Sequence, residues 1–421
     1  MTIKDFERLD VMTGELGTGR LFVGPDGQQL NLDRVNVLWA GTDTIRQMFE
    51  GRPEEHQFHE IADAYEAGVG SIVTIGGHEF AVKSGKQGGF KYMLQNNQLG
   101  LTLLYKHFYA EADATSTHLK IECSPQWLYE RDKYQINDEL FEWASKLLKS
   151  PKPNAVAVHL AVDFQGWEPP QDFDSHFVTK ARRVQRYDGM AEFRFQGCDS
   201  AIVHGRGTSF TFGKANSLQF CLYNKSEEVD VSDKRDFMES IWRTATNDNT
   251  FPDTCYDEEA PVWRLEVRFH QRIINELWRG TEAVGPIYTY LEADKHLTGL
   301  WQYALRSNRY EYRKDWVHPI WTFLRDEVSF GHKAPPIAYK REKKTPGCGN
   351  EKNVALAFGN LLSIYARNRF NAQQAWHCLK KSGLWNDLKS YYRRREITER
   401  MLYEMVRDGL TQRRLQGKVA A

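Results

Sequence analysis

The first two thirds of the chain are dominated by short stretches in which apolar and polar residues alternate, the period-two pattern of half-buried strands. RVNVLW (34–39) is the first, and TDTIRQMF (42–49) after it has helix-like spacing. SIVTIGG (71–77) and HEFAVK (78–83) predict a hairpin. LGLTLLYKHFYAEA (99–112) and THLKIEC (117–123) predict two more strands, stopped by Ser124-Pro125, and 134–149 predicts an amphipathic helix. After a Pro-rich break, SPKPN (150–154), AVAVHLAVDF (155–164) alternates clearly. AEFRF (191–195), SAIVHG (200–205), TSFTFG (208–213), SLQFCLYNK (217–225) and PVWRLEVRFH (261–270) predict further short strands. Helical patterns dominate 271–328 and return after a polar stretch at 332–352, over 354–369, 371–381, 384–395 and 396–410. The expected fold class is α+β: two antiparallel-sheet half-domains with helices, about 31–150 and 151–330, and a helical C-terminal module. A polar segment 1–30 precedes them, a linker occupies 331–352, and the module spans 353–421.

Three of these strands carry polar residues on one face. His159, Ala161 and Asp163 share a face, opposite Val158, Leu160, Val162 and Phe164. A polar pair on an otherwise apolar strand reads as a divalent-metal or phosphate site, or as a hydrogen-bonded core pair or a wet face. Arg264, Glu266 and Arg268 alternate with Trp263, Leu265, Val267 and Phe269. Glu between two Arg is the pattern of a salt-bridged, solvated face. Gln219, Cys221, Tyr223 and Lys225 oppose Leu218, Phe220 and Leu222, and Glu227 and Glu228 follow. Tyr, Lys and carboxylates together suit phosphodiester cleavage, although a cross-strand aromatic is the plainer use of Tyr223. A phenol with an ordinary pKa of about 10 needs a cation or metal nearby before it can attack.

VHLAVDF, TSFTFGKANSLQFCLYNKSEE and WRLEVRF, in that order, resemble the Rep_trans family of rolling-circle replication initiators and relaxases. HLKIECSPQWL is similar to an earlier strand of that family, so the resemblance covers roughly 70–280. It implies an HUH-like nicking fold and a nickase-ligase that cuts one strand of origin DNA, forming a 5′-phosphotyrosine and a 3′-OH primer. The family nucleophile lands on Tyr223, with Lys225 beside it as the second catalytic group. Asp163, Glu266, Glu228 and His159 land on acidic or metal-binding positions, with Mg²⁺ or Mn²⁺ as the cofactor. His159 stands where the family has an aspartate, a change that would tilt preference toward Mn²⁺ if this residue is a ligand. Tyr187 and Tyr256 are the next candidate nucleophiles.

Charge adds a DNA-binding expectation. The formal net charge is zero, yet residues 331–421 hold 19 Lys+Arg against 7 Asp+Glu, leaving 37 against 49 elsewhere. FNAQQAWHCLKKSGLWNDLKSYYRRR (370–395) reads as helix, turn, helix and basic end, compatible with helix-turn-helix binding of duplex DNA or with a plain helical bundle. Lys380, Lys381, Lys389, Arg393, Arg394 and Arg395 are the candidate DNA contacts, the three arginines as phosphate rather than base contacts. Expected partners are duplex origin DNA, the single-stranded nick site, and a host helicase and polymerase; a homodimer stays open.

Other signals narrow the class. Neither GELGTGR (14–20) nor SGKQGGFK (84–91) is a P-loop, which argues against ATP use. The six cysteines form no CxxC pair, and the start MTIKDFERLD has no apolar leader. Reduced thiols and a cytoplasmic location without membrane contact are expected. The rival readings are a relaxase for conjugative transfer, a non-catalytic DNA-binding regulator of the same fold, and a metal-dependent nuclease using water.

Overall fold

Period-two alternation is answered by strands. In the computed structural model the described residues are 3–68, 70–85, 89–106, 117–179, 184–187, 209–213, 218–232, 234–244, 256–342, 351–394 and 397–413. Near the start, β1 (Glu7–Leu9), β2 (Leu21–Val23) and β3 (Gln29–Asn31) form a small antiparallel sheet. Next come β4 (Asn36–Pro53), β5 (Ile72–Ile75), β6 (His78–Ser84), β7 (Phe90–Asn96), β8 (Leu101–Lys106) and β9 (Thr117–Cys123). They are followed by β10 (Leu148–Gln165), β11 (Phe177–Val178), β12 (Val184–Tyr187), β13 (Ser209–Phe212), β14 (Leu218–Asn224) and β15 (Trp263–Phe269). Last are β16 (Arg309–Arg313) and β17 (Trp316–Val317), strands inside the stretch expected to be helical; β16 pairs with β11 on one edge and β17 on the other. The expected strands AEFRF and SAIVHG lie outside the described residues.

Eleven strands join in one antiparallel sheet, in the order β12-β13-β14-β15-β10-β4-β9-β8-β7-β6-β5. The fold is α+β. Two expectations are corrected here. TDTIRQMF is not a helix, because β4 is paired along both edges, by β10 and β9, and this pairing overrides helical spacing. SPKPN does not interrupt strand pairing: it lies within β10, where register shifts at Lys149/Lys152 and Pro153/Ala155 absorb the prolines. The two halves that meet there are repeats of one path. Each starts with a long strand, β4 or β10, and returns as a meander whose last strand, β9 or β15, pairs with it. The long strands meet at the centre.

Val156, Val158, Leu160, Val162 and Phe164 of β10 are fully buried, as are Val267 and Phe269 of β15. They join one core that includes Ile273, Leu300, Trp301, Ile320 and Trp321 from helices Gln271–Gly280, Leu297–Ser307 and Pro319–Glu327. Phe6 and Phe22 belong to that core, so the polar N-terminal segment is also anchored. Asp132 starts the expected helix, Lys133–Leu147, with a capping box to Gln135. The Gly76-Gly77 turn, with φ of 59° and 83°, closes the expected β5–β6 hairpin.

The chain divides into two compact units, Met1–Glu342 and Lys343–Ala421. Residues 331–342, expected as linker, belong to the first: Arg341 pairs with Glu276, and the Tyr339 hydroxyl lies 2.9 Å from His296 Nδ1. The second unit holds helices Glu351–Arg367, Ala372–Lys381, Trp385–Arg393 and Glu399–Arg413 around Phe358, Leu362, Leu379, Leu388 and Val406. No described helix is long and apolar enough to cross a membrane. Cys123, Cys221 and Cys378 are free thiols.

His318 caps helix Pro319–Glu327, accepting from the Ile320 N–H. Burial first, and then His176, lower its pKa from 6.5 to about 4. Between those values the unfolded chain is protonated and the folded one is not, so stability is full above the window and falls as pH drops through it. His318→Asn keeps a capping acceptor and removes the titration. Its melting temperature is expected to fall less steeply than wild type between pH 6.5 and 4, measured by circular dichroism. Parallel curves would remove His318 as a source of acid sensitivity.

Candidate active site

Antiparallel register turns the alternating polar residues into rows across the sheet. Tyr223 of β14 stands opposite Arg264 of β15, which stands opposite Asp163 of β10, which stands opposite Trp39 of β4. The next row runs Cys221, Glu266, Ala161 and Gly41, and a third runs Gln219, Arg268, His159 and Thr44. All three lie on the face opposite the main core. The face expected to be solvated is buried: Asp163 and Arg264 are 0% exposed and Glu266 1%. Helices Lys225–Ser232 and Arg235–Thr244 contribute Val229, Met238, Ile241 and Trp242 to a small apolar cluster with Leu38 and Val262.

Buried charges must be paired, and these are. Arg264 holds Asp163 in a fork, Nε to Oδ1 at 2.5 Å and Nη2 to Oδ2 at 2.7 Å, while its Nη1 donates to Asp43 Oδ1 at 2.5 Å. The Trp242 indole N–H donates to Asp163 Oδ2 at 2.8 Å. The guanidinium also lies over the Trp39 ring, 5.0 Å from its centroid. Gly41 makes room for that ring, since a Cβ there would come within 2.6 Å of it. Arg268 forks onto Glu266 at 2.6 and 2.9 Å, and His159 Nδ1 lies 3.3 Å from Glu266 Oε1. Burial would raise the Glu266 pKa, but Arg268 and His159 overcome it and hold the carboxyl well below its usual range.

Asp43 is the residue the sequence reading did not single out. Register shifts between His159 and Leu160: His159 pairs with Thr44, Leu160 with Thr42, and Asp43 is the extra residue of a β-bulge. The bulge turns its carboxylate toward the polar face, where ligand atoms of Asp43, His159 and Glu266 all lie within 4.8 Å of one another. Of the four predicted ligands, the structure brings His159 and Glu266 into this group. Asp163 is engaged by Arg264 and Trp242 instead. Glu228 pairs with Lys225.

Lys225 does not continue the strand. Asn224 ends β14 and caps the following helix: its Oδ1 accepts the Glu227 N–H at 3.3 Å and its Nδ2 donates to Glu227 Oε1 at 3.0 Å. Lys225 is thus the first helical residue, with Nζ 5.9 Å from the Tyr223 ring centroid. Burial, then Arg264, lower its pKa. Tyr223 itself is 6% exposed, and its phenol is pushed well above the ordinary value, first by burial, with Arg264 as the opposing cation. The missed cation beside Tyr223 is therefore Arg264, which alternation had placed on the right face.

In the second unit, Lys380, Lys381, Lys389, Arg393 and Arg394 are exposed; Arg395 lies outside the described residues. Lys380 pairs with Glu399 at 2.5 Å, and Lys389 lies 3.8 Å from it. Trp385, Lys389, Tyr392, Arg393 and Glu399 line a cavity of about 340 Å³.

Asp163→Ala would leave the Arg264 guanidinium with Asp43 as its remaining carboxylate and remove the acceptor of Trp242. Breaking a buried pair of this kind costs about 3–5 kcal/mol. Urea denaturation is expected to show that loss, with a smaller one for Asp163→Asn. A cost below about 1 kcal/mol, the range of an exposed pair, would mean that the row is solvated.

No family model matches the chain. It is 32% identical over 395 residues to the uncharacterized protein ORF430 of Pseudomonas phage Pf1, an alignment covering 91% of this chain and 90% of the phage protein. With that identity over nearly the whole of both sequences, the chain belongs to the same family as this phage protein.

Proposed function

We propose that the protein is a replication initiator that binds an origin and nicks one DNA strand through Tyr223. One observation carries this reading: a tyrosine, an arginine, carboxylates and a histidine meet on one face of β14, β15, β10 and β4. An HUH-like nicking fold is part of the same proposal, supported by a nucleophile strand that adjoins the strands bearing those groups. The phage relative fits an initiator carried by a mobile element.

In the proposed reaction the Tyr223 oxygen attacks the scissile phosphorus. The bond from phosphorus to the 3′ oxygen breaks, and that oxygen leaves as a 3′-OH once protonated. The phenol proton goes to solvent or a nearby base, and a 5′-phosphotyrosine remains. Arg264, directly across from Tyr223, would stabilise phenolate and phosphate charge. Asp43, His159 and Glu266 would hold a divalent ion, which supplies further charge stabilisation on the phosphoryl oxygens. The buried His159 Nε2, without a hydrogen-bond partner among the described residues, fits such an ion. Origin DNA, a host helicase and a polymerase are the proposed partners, with the second unit supplying duplex affinity.

A second reading, a regulator that keeps the fold without the chemistry, is favoured by the burial of Tyr223. Covalent capture separates the two. Wild type with Mn²⁺ or Mg²⁺ is expected to form a denaturation-resistant adduct with a single-stranded oligonucleotide carrying the nick sequence, and Tyr223→Phe to form none while keeping origin affinity. Equal adduct in both would move the nucleophile elsewhere, and none in wild type would favour the regulator. Because the Tyr223 pKa is raised, the phenolate fraction grows about tenfold per pH unit through neutrality, and the nicking rate should follow it. A flat profile from pH 7 to 9 would contradict attack by a free phenolate.

A chain ending at Glu342 keeps the first unit whole. It is expected to cleave the single-stranded oligonucleotide and to bind duplex origin more weakly, with a shallower salt dependence. Unchanged duplex affinity and salt slope would place origin recognition in the first unit.

A further inference from the structure

Helix Trp385–Arg393 of the second unit carries aromatics and cations in turn along one stripe. Trp385, Lys389, Tyr392 and Arg393 stand at i, i+4, i+7 and i+8, spacings that fall on one face of a helix. All four line the cavity of about 340 Å³, together with the apolar Ile397 and Leu402 from the chain that follows. The Trp385 ring is already packed in the free protein: Trp376 meets it edge to face with centroids 5.2 Å apart, and Lys380 Nζ lies 5.6 Å from its centroid. Glu399, the carboxylate of the lining, is paired by Lys380 at 2.5 Å and lies 3.8 Å from Lys389. The cavity therefore offers planar apolar surface beside an excess of positive charge.

We propose that this cavity takes one unstacked nucleotide of a single DNA strand, with its base against Trp385 and Tyr392 and its phosphates at Lys389 and Arg393. The volume lies at the small end of the range of about 300–1,000 Å³ for small-ligand sites. Every base has a π-face that can stack on an aromatic side chain, so such a cavity holds a strand with little regard to sequence. A base paired and stacked in a duplex does not present that face, so the cavity favours an unpaired strand. An acidic peptide would match the cations but would leave the aromatic rings without a planar partner. The choice of DNA as the strand rests on the proposed function. The inference adds single-strand capture to a unit to which that reading gives duplex affinity.

The test uses the full chain in a chelator, so that metal-dependent cleavage is stopped. It is irradiated with a thymidine oligonucleotide carrying 5-iododeoxyuridine, and linked peptides are mapped by mass spectrometry. Linkage is expected at Trp385 or Tyr392, with far less from the same base in a duplex. In fluorescence anisotropy, Trp385→Leu should weaken single-strand binding at least about fivefold. Lys389→Gln combined with Arg393→Gln should weaken it and make its salt dependence shallower. No linkage at either aromatic, equal linkage from the duplex, or unchanged affinity in the double variant would overturn the proposal even if Trp385→Leu failed to fold. Thymidine monophosphate displacing the oligonucleotide at equal concentration would overturn it too, by making the cavity a mononucleotide site. Linkage at Trp385 or Tyr392 without any phosphotyrosyl adduct once Mn²⁺ is supplied would leave the cavity standing and remove the nicking reading. Adduct formation without linkage at either ring would do the reverse.

Discussion

The candidate site depends on one buried ion cluster, Arg264 with Asp163 and Asp43. Arg264 stands on β15, between β14 and β10, and its three nitrogens reach the central strand β10 and the bulge of β4. That single guanidinium therefore ties Asp163 to Asp43, with Tyr223 as its cross-strand neighbour on β14. A hydrophobic row could hold the strands as firmly, since desolvating charges is expensive. What the charged row supplies is a fixed electrostatic environment at the sheet centre, with carboxylates and guanidinium groups already oriented.

The same burial explains the protonation states. Tyr223 is held as a neutral phenol, His159 and His270 as neutral imidazoles, and Glu266 as an anion, each by the balance of desolvation against named neighbours. In the proposed chemistry a DNA strand would have to reach Tyr223, which is 6% exposed. In that reading the free protein would hold Tyr223 protonated until a DNA strand arrives.

Much of this was legible in the sequence because strand periodicity is local. His159, Asp163, Glu266 and Tyr223 could be assigned to polar faces from alternation alone, and antiparallel pairing turned those faces into one surface. Asp43 was not legible, because a bulge breaks alternation and exists only through the register of β4 against β10. Nor was the turn at Asn224, where a local side-chain cap outweighed the strand pattern and moved Lys225 onto a helix. The helix-like spacing of TDTIRQMF yielded to pairing on both edges of β4. SPKPN read as a break in the pairing, because nothing local shows that register shifts absorb its prolines.

The central claim is that this polar face is a nicking centre with Tyr223 as its nucleophile. Mass-spectrometric mapping of the peptide linked to a cleaved single-stranded oligonucleotide tests it most directly. The account predicts a phosphotyrosyl linkage on the peptide containing Tyr223. Linkage at Tyr187 or Tyr256, or cleavage with no linked peptide, would contradict it.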